Sequence, residues 1–277
     1  MPRMNSSILL TSARGFALAF LCAGSVISAS SAAPSAAVSA QVFDPVRRPE
    51  RIDAKWRANL CALLPAPCEQ ESLGLFRPRG AGAGDYVLLS QKPLAMARLN
   101  RGTDGAWHLT KLNDLTGYKH SVTDDTAEPG DTRFSLAPAL YPLAEGLWAV
   151  GVVRSMSQGF SGGGALYETA DFVPLDDTPA AKASPAHAGV PFNCSQDFRA
   201  CFTEKEYKTS PHCREQNDGQ LRIAYGTPAK AGEPYAWSYT WRESAWPGNE
   251  PKSKMTQTVT RFTDADVAAA PFCGQGR

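Results

Sequence analysis

The chain has 277 residues, with 28 Lys and Arg against 27 Asp and Glu and a 43% share of hydrophobic residues. That length allows one large domain or two small ones. A net charge of +1 argues against nucleic acid or an anionic membrane surface as the main partner.

In chain order, the first feature is a leader. Arg3 and Arg14 supply positive charge, and residues 16–27 (FALAFLCAGSVI) form an apolar run of twelve. Small residues follow, and Val38-Ser39-Ala40 gives an A-x-A-like cleavage pattern before Gln41. The run falls short of the ~20 residues that a membrane-spanning helix needs, and bulky Leu21 is a poor neighbour for lipidation of Cys22. Residues 1–40 therefore read as a cleavable signal peptide. The rest reads as a periplasmic or secreted protein with no transmembrane anchor.

Cleavage removes Cys22 and two of the 28 basic residues, leaving 26 against 27 acidic ones and six cysteines: Cys61, Cys68, Cys194, Cys201, Cys213 and Cys273. An even count in an exported chain predicts three disulfides. Short loops favour Cys61–Cys68 and Cys194–Cys201, which leaves Cys213–Cys273. The spacing lacks a C-x2-C pair, so a structural metal is not expected. Residues 176–190 (DDTPAAKASPAHAGV) have linker composition. They divide a lobe at 41–175, holding an N-terminal helix and strands, from a β lobe at 191–277 that holds four of the cysteines.

Residues 50–64 predict a helix, with Ile52, Trp56, Leu60 and Leu63 at helical spacing and Pro49 just before it. The period then switches to two. Residues 86–90, 94–99, 107–112, 133–140, 147–155 and 165–173 read as strands. In the second lobe 198–202, 221–225, 235–241 and 255–262 do so, with Asn217-Asp218-Gly219 as a turn and a short helix at 263–270. The sum is a mainly β protein: antiparallel sheets in two lobes with an N-terminal helix, disulfide-bonded.

Chemistry-bearing candidates are few. The acidic loop Asp124, Asp125, Glu128, Asp131 has oxygen ligands suited to calcium but no EF-hand spacing, and reads as a solvated loop. His108, His120, His187 and His212 are dispersed, without the H-x-x-x-H spacing of a zinc site. No cofactor is expected. Tyr235, Trp237, Tyr239 and Trp241 alternate along one strand. If exposed they would form a stacking platform of a glycan-binding or structural envelope module; burial in a core fits their β propensity better.

The remaining candidate is Gly159-Phe160-Ser161-Gly162-Gly163-Gly164. It matches the G-x-S-x-G of serine hydrolases, but three glycines after the serine oppose the helix that a nucleophile elbow needs. His120, 41 residues upstream, lacks the context of a trypsin-like histidine. The alternative is a glycine-rich hairpin tip presenting Phe160 as an apolar anchor to a partner, with Ser161 and free N–H groups able to bond acidic groups there.

Residues 161–168 (SGGGALYE) resemble the Ser-x-Ser-Gly-Ala-Arg/Lys-Tyr loop of periplasmic and membrane-bound C-type lysozyme inhibitors. Related periplasmic proteins act as immunity proteins against peptidoglycan-cleaving toxins. Ser161, Gly164, Ala165 and Tyr167 match; Gly163 stands at the second serine and Leu166 at the basic residue. The resemblance implies an exported, β-rich, non-enzymatic binder whose loop, Gly159 to Gly164 with Tyr167, enters a cleft lined by two catalytic carboxylates.

Overall fold

The computed structural model describes residues 38–46, 54–64, 67–122, 132–176, 178–228, 230–270 and 272–273. The leader up to residue 37, the acidic loop 124–131 and the first residues of the expected helix lie outside the described residues. Residues 37–277 form one compact unit.

Twelve strands make one antiparallel sheet. They are β1 (Gln41–Pro45), β2 (Leu73–Pro78), β3 (Asp85–Gln91), β4 (Leu94–Arg101), β5 (Trp107–Asp114), β6 (Thr132–Ala144), β7 (Leu147–Phe160), β8 (Gly163–Pro174), β9 (His187–Arg199), β10 (Arg214–Tyr225), β11 (Trp237–Trp246) and β12 (Thr256–Phe262). Spatial order is β12-β11-β10-β9-β8-β7-β6-β1-β2-β3-β4-β5. Among the described residues two α-helices accompany it, α1 (Ala54–Cys61) and α2 (Glu204–Thr209). The expected mainly β, antiparallel, disulfide-bonded fold is present. The eight residues of α1 fall inside the helix expected at 50–64.

The sheet is too long to stay open and folds back on itself. Strands β3 and β4 bury both faces: Val87, Leu89 and Met96 pack with Leu136, Leu140, Val150 and Val152, while Tyr86, Leu88, Ala95, Ala97 and Leu99 pack with Leu60 and Leu64 beside α1. Strands β6 and β7 are likewise covered twice. Their opposite face, with Ala139, Tyr141, Leu143 and Val153, meets Phe172, Trp237, Tyr239 and Trp241 inside the curl made by β6 to β11. Burial on both faces explains the near-continuous apolar runs in these strands. Pro138, which donates no ladder bond, falls where the β6–β7 register shifts between Leu136 and Leu140. The curl is tied across its ends: the Tyr235 N–H donates to the Leu143 carbonyl at 2.8 Å, and the Trp237 indole N–H to the Pro142 carbonyl at 2.9 Å.

Besides β1 and β2, which lie outside the expected strands, three details differ from expectation. First, the disulfides are Cys61–Cys68, Cys194–Cys273 and Cys201–Cys213. The first is as expected and the other two exchange partners. Cys194 points into the curl beneath Trp241, where the C-terminal segment returns, so the long closure displaces the short one. Second, Asn217-Asp218-Gly219 lies inside β10, not in a turn. Asn217 is buried and donates to Gln196 at 2.9 Å, and Gly219 leaves room for the Trp241 ring. Third, the strand expected at 198–202 is instead the end of β9, which begins at His187. The segment between β8 and β9 holds a 3-10 turn, Ala180–Lys182, with Ala180 buried.

Two polar centres, one buried and one at the surface, hold loops to this frame. Asp171, fully buried, accepts from the Tyr118 hydroxyl at 2.8 Å, the Ser121 N–H at 2.6 Å and the Gly189 N–H at 2.7 Å. His120 lies 3.7 Å from the same carboxylate. Asp264 receives the Tyr239 hydroxyl at 2.6 Å and sits 2.6 Å from His187 Nδ1, which fixes the C-terminal 3-10 helix Asp264–Ala269 against β9.

Candidate functional site

The glycine-rich segment is the tip of the β7–β8 hairpin. Gly159 pairs with Gly164 and Phe160 with Gly163, which leaves Ser161-Gly162 as a two-residue loop. β9 runs alongside, with Gly163 paired to Phe198, and the Arg199 N–H donates to the Gly162 carbonyl at 2.6 Å. The four glycines are not equivalent. A Cβ on Gly163, where φ is +153°, would stand 2.0 Å from the Asp197 carbonyl oxygen, so only glycine fits that crossing. Gly159 has open space around it, and Gly162 would make only ordinary contact, 3.5 Å, with the Phe160 ring. The close backbone approach expected of this loop is thus made to its own strand β9.

Phe160 is 57% exposed. Its ring stacks on Phe198, with centroids 5.6 Å apart and planes 17° from parallel. Beyond β9 the chain carries two more aromatic residues at the surface, Phe202 at 72% and Tyr207 at 52% exposure. Arg199, also exposed, sits among them: its Nε donates to the Tyr207 hydroxyl at 3.0 Å, and its guanidinium lies 6.0 Å from the Phe202 ring centre, within cation–π range. Phe160, Phe202 and Tyr207 are three of the four exposed large aromatic side chains among the described residues, Phe134 being the other. Their placement at one end of the sheet makes that end the candidate interaction surface.

The surface is braced. The Cys201–Cys213 disulfide closes the segment that carries Phe202 and α2. α2 opens on a reciprocal capping box: Thr203 Oγ1 accepts from the Glu206 N–H at 3.2 Å, and the Glu206 carboxylate accepts from the N–H groups of Phe202 at 2.7 Å and Thr203 at 2.8 Å. Those backbone donors hold the Glu206 carboxyl below its usual pKa. The Arg214–Asp197 ion pair flanks the strand beneath. The aromatic rings therefore stand on a short, closed frame, which reduces the ordering cost of binding.

The structure brings together Gly159, Phe160, Ser161, Gly162, Gly163 and Gly164. Tyr167 is separate: it is half-buried in β8, its hydroxyl accepts from Gln196 Nε2 at 2.6 Å, and its ring packs 5.5 Å from Phe272. Among the described residues no histidine hydrogen-bonds Ser161; the histidine partners are Val122 for His120 and Asp264 and Tyr239 for His187. Trp237, Tyr239 and Trp241 are buried, so the aromatic stripe of β11 forms core and offers no stacking platform. Among the described residues no group of three or more His, Cys, Asp or Glu is placed to hold a metal ion, and no helix is long and apolar enough to cross a membrane.

Phe198, Arg199, Phe202 and Tyr207 escaped sequence reasoning. A signal was present in part, since Thr203-x-x-Glu206 has capping-box spacing and marks a helix start between two cysteines. Comparison of the chain with protein-family models, with curated proteins and with solved structures found no match.

Proposed function

We propose that this chain is an exported binding protein of the cell envelope that engages its partner through the braced aromatic tip, and that the partner is a lysozyme-like peptidoglycan-cleaving enzyme which it inhibits or to which it confers immunity. One observation carries the binding reading: Phe160 stands exposed at the hairpin tip, and Arg199, whose backbone bonds the tip, holds exposed Phe202 and Tyr207 on a segment closed by a disulfide. Exposed, preorganised aromatic and Arg side chains are the residue types that dominate binding energy. Three disulfides are consistent with an extracellular or periplasmic setting.

The choice of partner rests on the resemblance of residues 161–168 to the lysozyme-inhibitor loop, together with the chemistry of the tip. Leu166 stands where that family has a basic residue, yet Arg199, from the neighbouring strand, is bonded through its backbone to Gly162. In this reading it supplies a guanidinium on the segment that its backbone ties to the Ser161-Gly162 loop. A cation and a hydroxyl next to an apolar anchor suit a cleft lined by two carboxylates. The tip draws on both sides of residues 176–190, the hairpin from 41–175 and the braced segment from 191–277, so in this reading the two lobes serve one surface.

The test is an inhibition assay against a panel of glycan-cleaving enzymes. The purified protein should block at least one, and Phe160→Ala with Ser161→Ala should weaken the block. Absence of inhibition across the panel would overturn the muramidase assignment.

A further inference from the structure

We propose that two copies of this chain join edge to edge through β12, antiparallel, with Val259 of one copy opposite Val259 of the other. β12 is an outermost strand whose single sheet neighbour is β11. Six of its seven residues are exposed, and it pairs with β11 in unbroken register from Thr256 to Phe262. Nothing on it protects the free edge: it has no proline, lysine or bulge, and Arg261 is its sole charge. The opposite edge differs. β5 carries Lys111, and its pairing with β4 slips at Arg98/Leu99, which are the usual defences of an edge strand. Among the described residues the chain after β12 turns away from the edge: Asp264 is held on His187 and Cys273 on Cys194, both in β9.

The occupant is argued from the strand's own sequence. Thr-Gln-Thr-Val-Thr-Arg-Phe is self-complementary about Val259. Antiparallel pairing there sets Thr258 of each copy beside Thr260 of the other, Gln257 beside Arg261, and Val259 beside Val259. Thr–Thr and apolar cross-strand pairs are favourable, and no like charges meet. Arg242, next to Val259 in the sheet, would lie about three strand spacings, roughly 14 Å, from its counterpart, beyond a Debye length at physiological salt. An isologous contact of this kind closes as a dimer and does not propagate.

Sedimentation velocity of the purified protein over a concentration series tests this. The wild-type mass should double as concentration rises. Val259→Lys and Val259→Glu should each stay monomeric at the same concentrations, because the pairing sets like charges face to face, and mixing the two variants should restore the dimer. Gln257→Glu, which places a carboxylate opposite Arg261 in two symmetric pairs, should tighten the dimer about threefold. Far-UV circular dichroism checks that each variant is folded. A wild type monomeric throughout, dimers persisting in both Val259 variants, a mixture that stays monomeric, or an unchanged Gln257→Glu dimer would each overturn the proposal.

Discussion

Gly219 lies flat beneath Trp241. A Cβ on Gly219 would stand 2.2 Å from Trp241 Cζ2 and 2.7 Å from Cys194 Sγ. The indole in turn is buried and donates to Glu243 at 3.1 Å. A residue that reads as a turn glycine is therefore a packing glycine in mid-strand. Gly219→Ala should cost about 1–3 kcal/mol through overpacking of the curl. Urea denaturation measures it; a midpoint equal to wild type would mean that the indole has room to move.

The tip makes a paired prediction. Gly163→Ala forces a methyl group into the Asp197 carbonyl, whereas Gly162→Ala meets only the edge of the Phe160 ring. The first should displace the Ser161-Gly162 loop from β9 and weaken partner binding tenfold or more, about 1.4 kcal/mol. The second should bind like wild type. Isothermal titration of both variants against the inhibited enzyme distinguishes them.

The disulfides divide between frame and tip. Cys194–Cys273 spans 79 residues and Cys201–Cys213 spans 12. By loop-closure entropy the two are worth about 4.5 and about 3 kcal/mol respectively. Replacing the first pair by Ser should give the larger loss of stability with the tip intact. Replacing the second should give the smaller loss but should release Phe202 and Tyr207 and reduce binding. Thermal melts and binding isotherms on the two double variants check the crossed pattern.

His120 predicts a pH dependence. Burial pushes its pKa below the usual 6.5; the Asp171 carboxylate opposes this shift, and Arg154 adds to it. A base held neutral in the folded state takes up a proton more readily when unfolded, so stability is full above the unfolded pKa and falls as pH drops below it. The unfolding midpoint should decline between about pH 7 and pH 5, and His120→Gln should reduce that decline. Depressed carboxyls such as Glu206 act at lower pH. An unaltered slope in His120→Gln would contradict the assignment.

Much of the fold was legible in the chain. Alternation located β3 to β8 and the stripe from Tyr235 into β11; all of these but the exposed edge strand β5 carry buried apolar faces. Two strands were shortened or misplaced for a common reason. β9 and β10 carry polar Asn193, Gln196, Asn217 and Asp218 among their apolar residues, and Asn217 bonds Gln196 and Gln196 bonds Tyr167 across strands, so the period of two is hidden. The disulfide exchange has the same origin: sequence separation favours Cys194–Cys201, but the side chain of Cys194 faces into the curl and that choice depends on the fold. At the site, the glycine pattern marked the hairpin tip. It gave no sign of Arg199 and Phe202, which reach the tip only through the pairing of β8 with β9.

The central claim is that the partner contacts the tip. A photocrosslinking residue at Phe160, with a control at exposed Leu109 on the far edge strand β5, tests it in cells that carry the partner. Position 160 should give an adduct that contains a peptidoglycan-cleaving enzyme, and position 109 none. Equal adducts at both positions, or no adduct at 160, would contradict it.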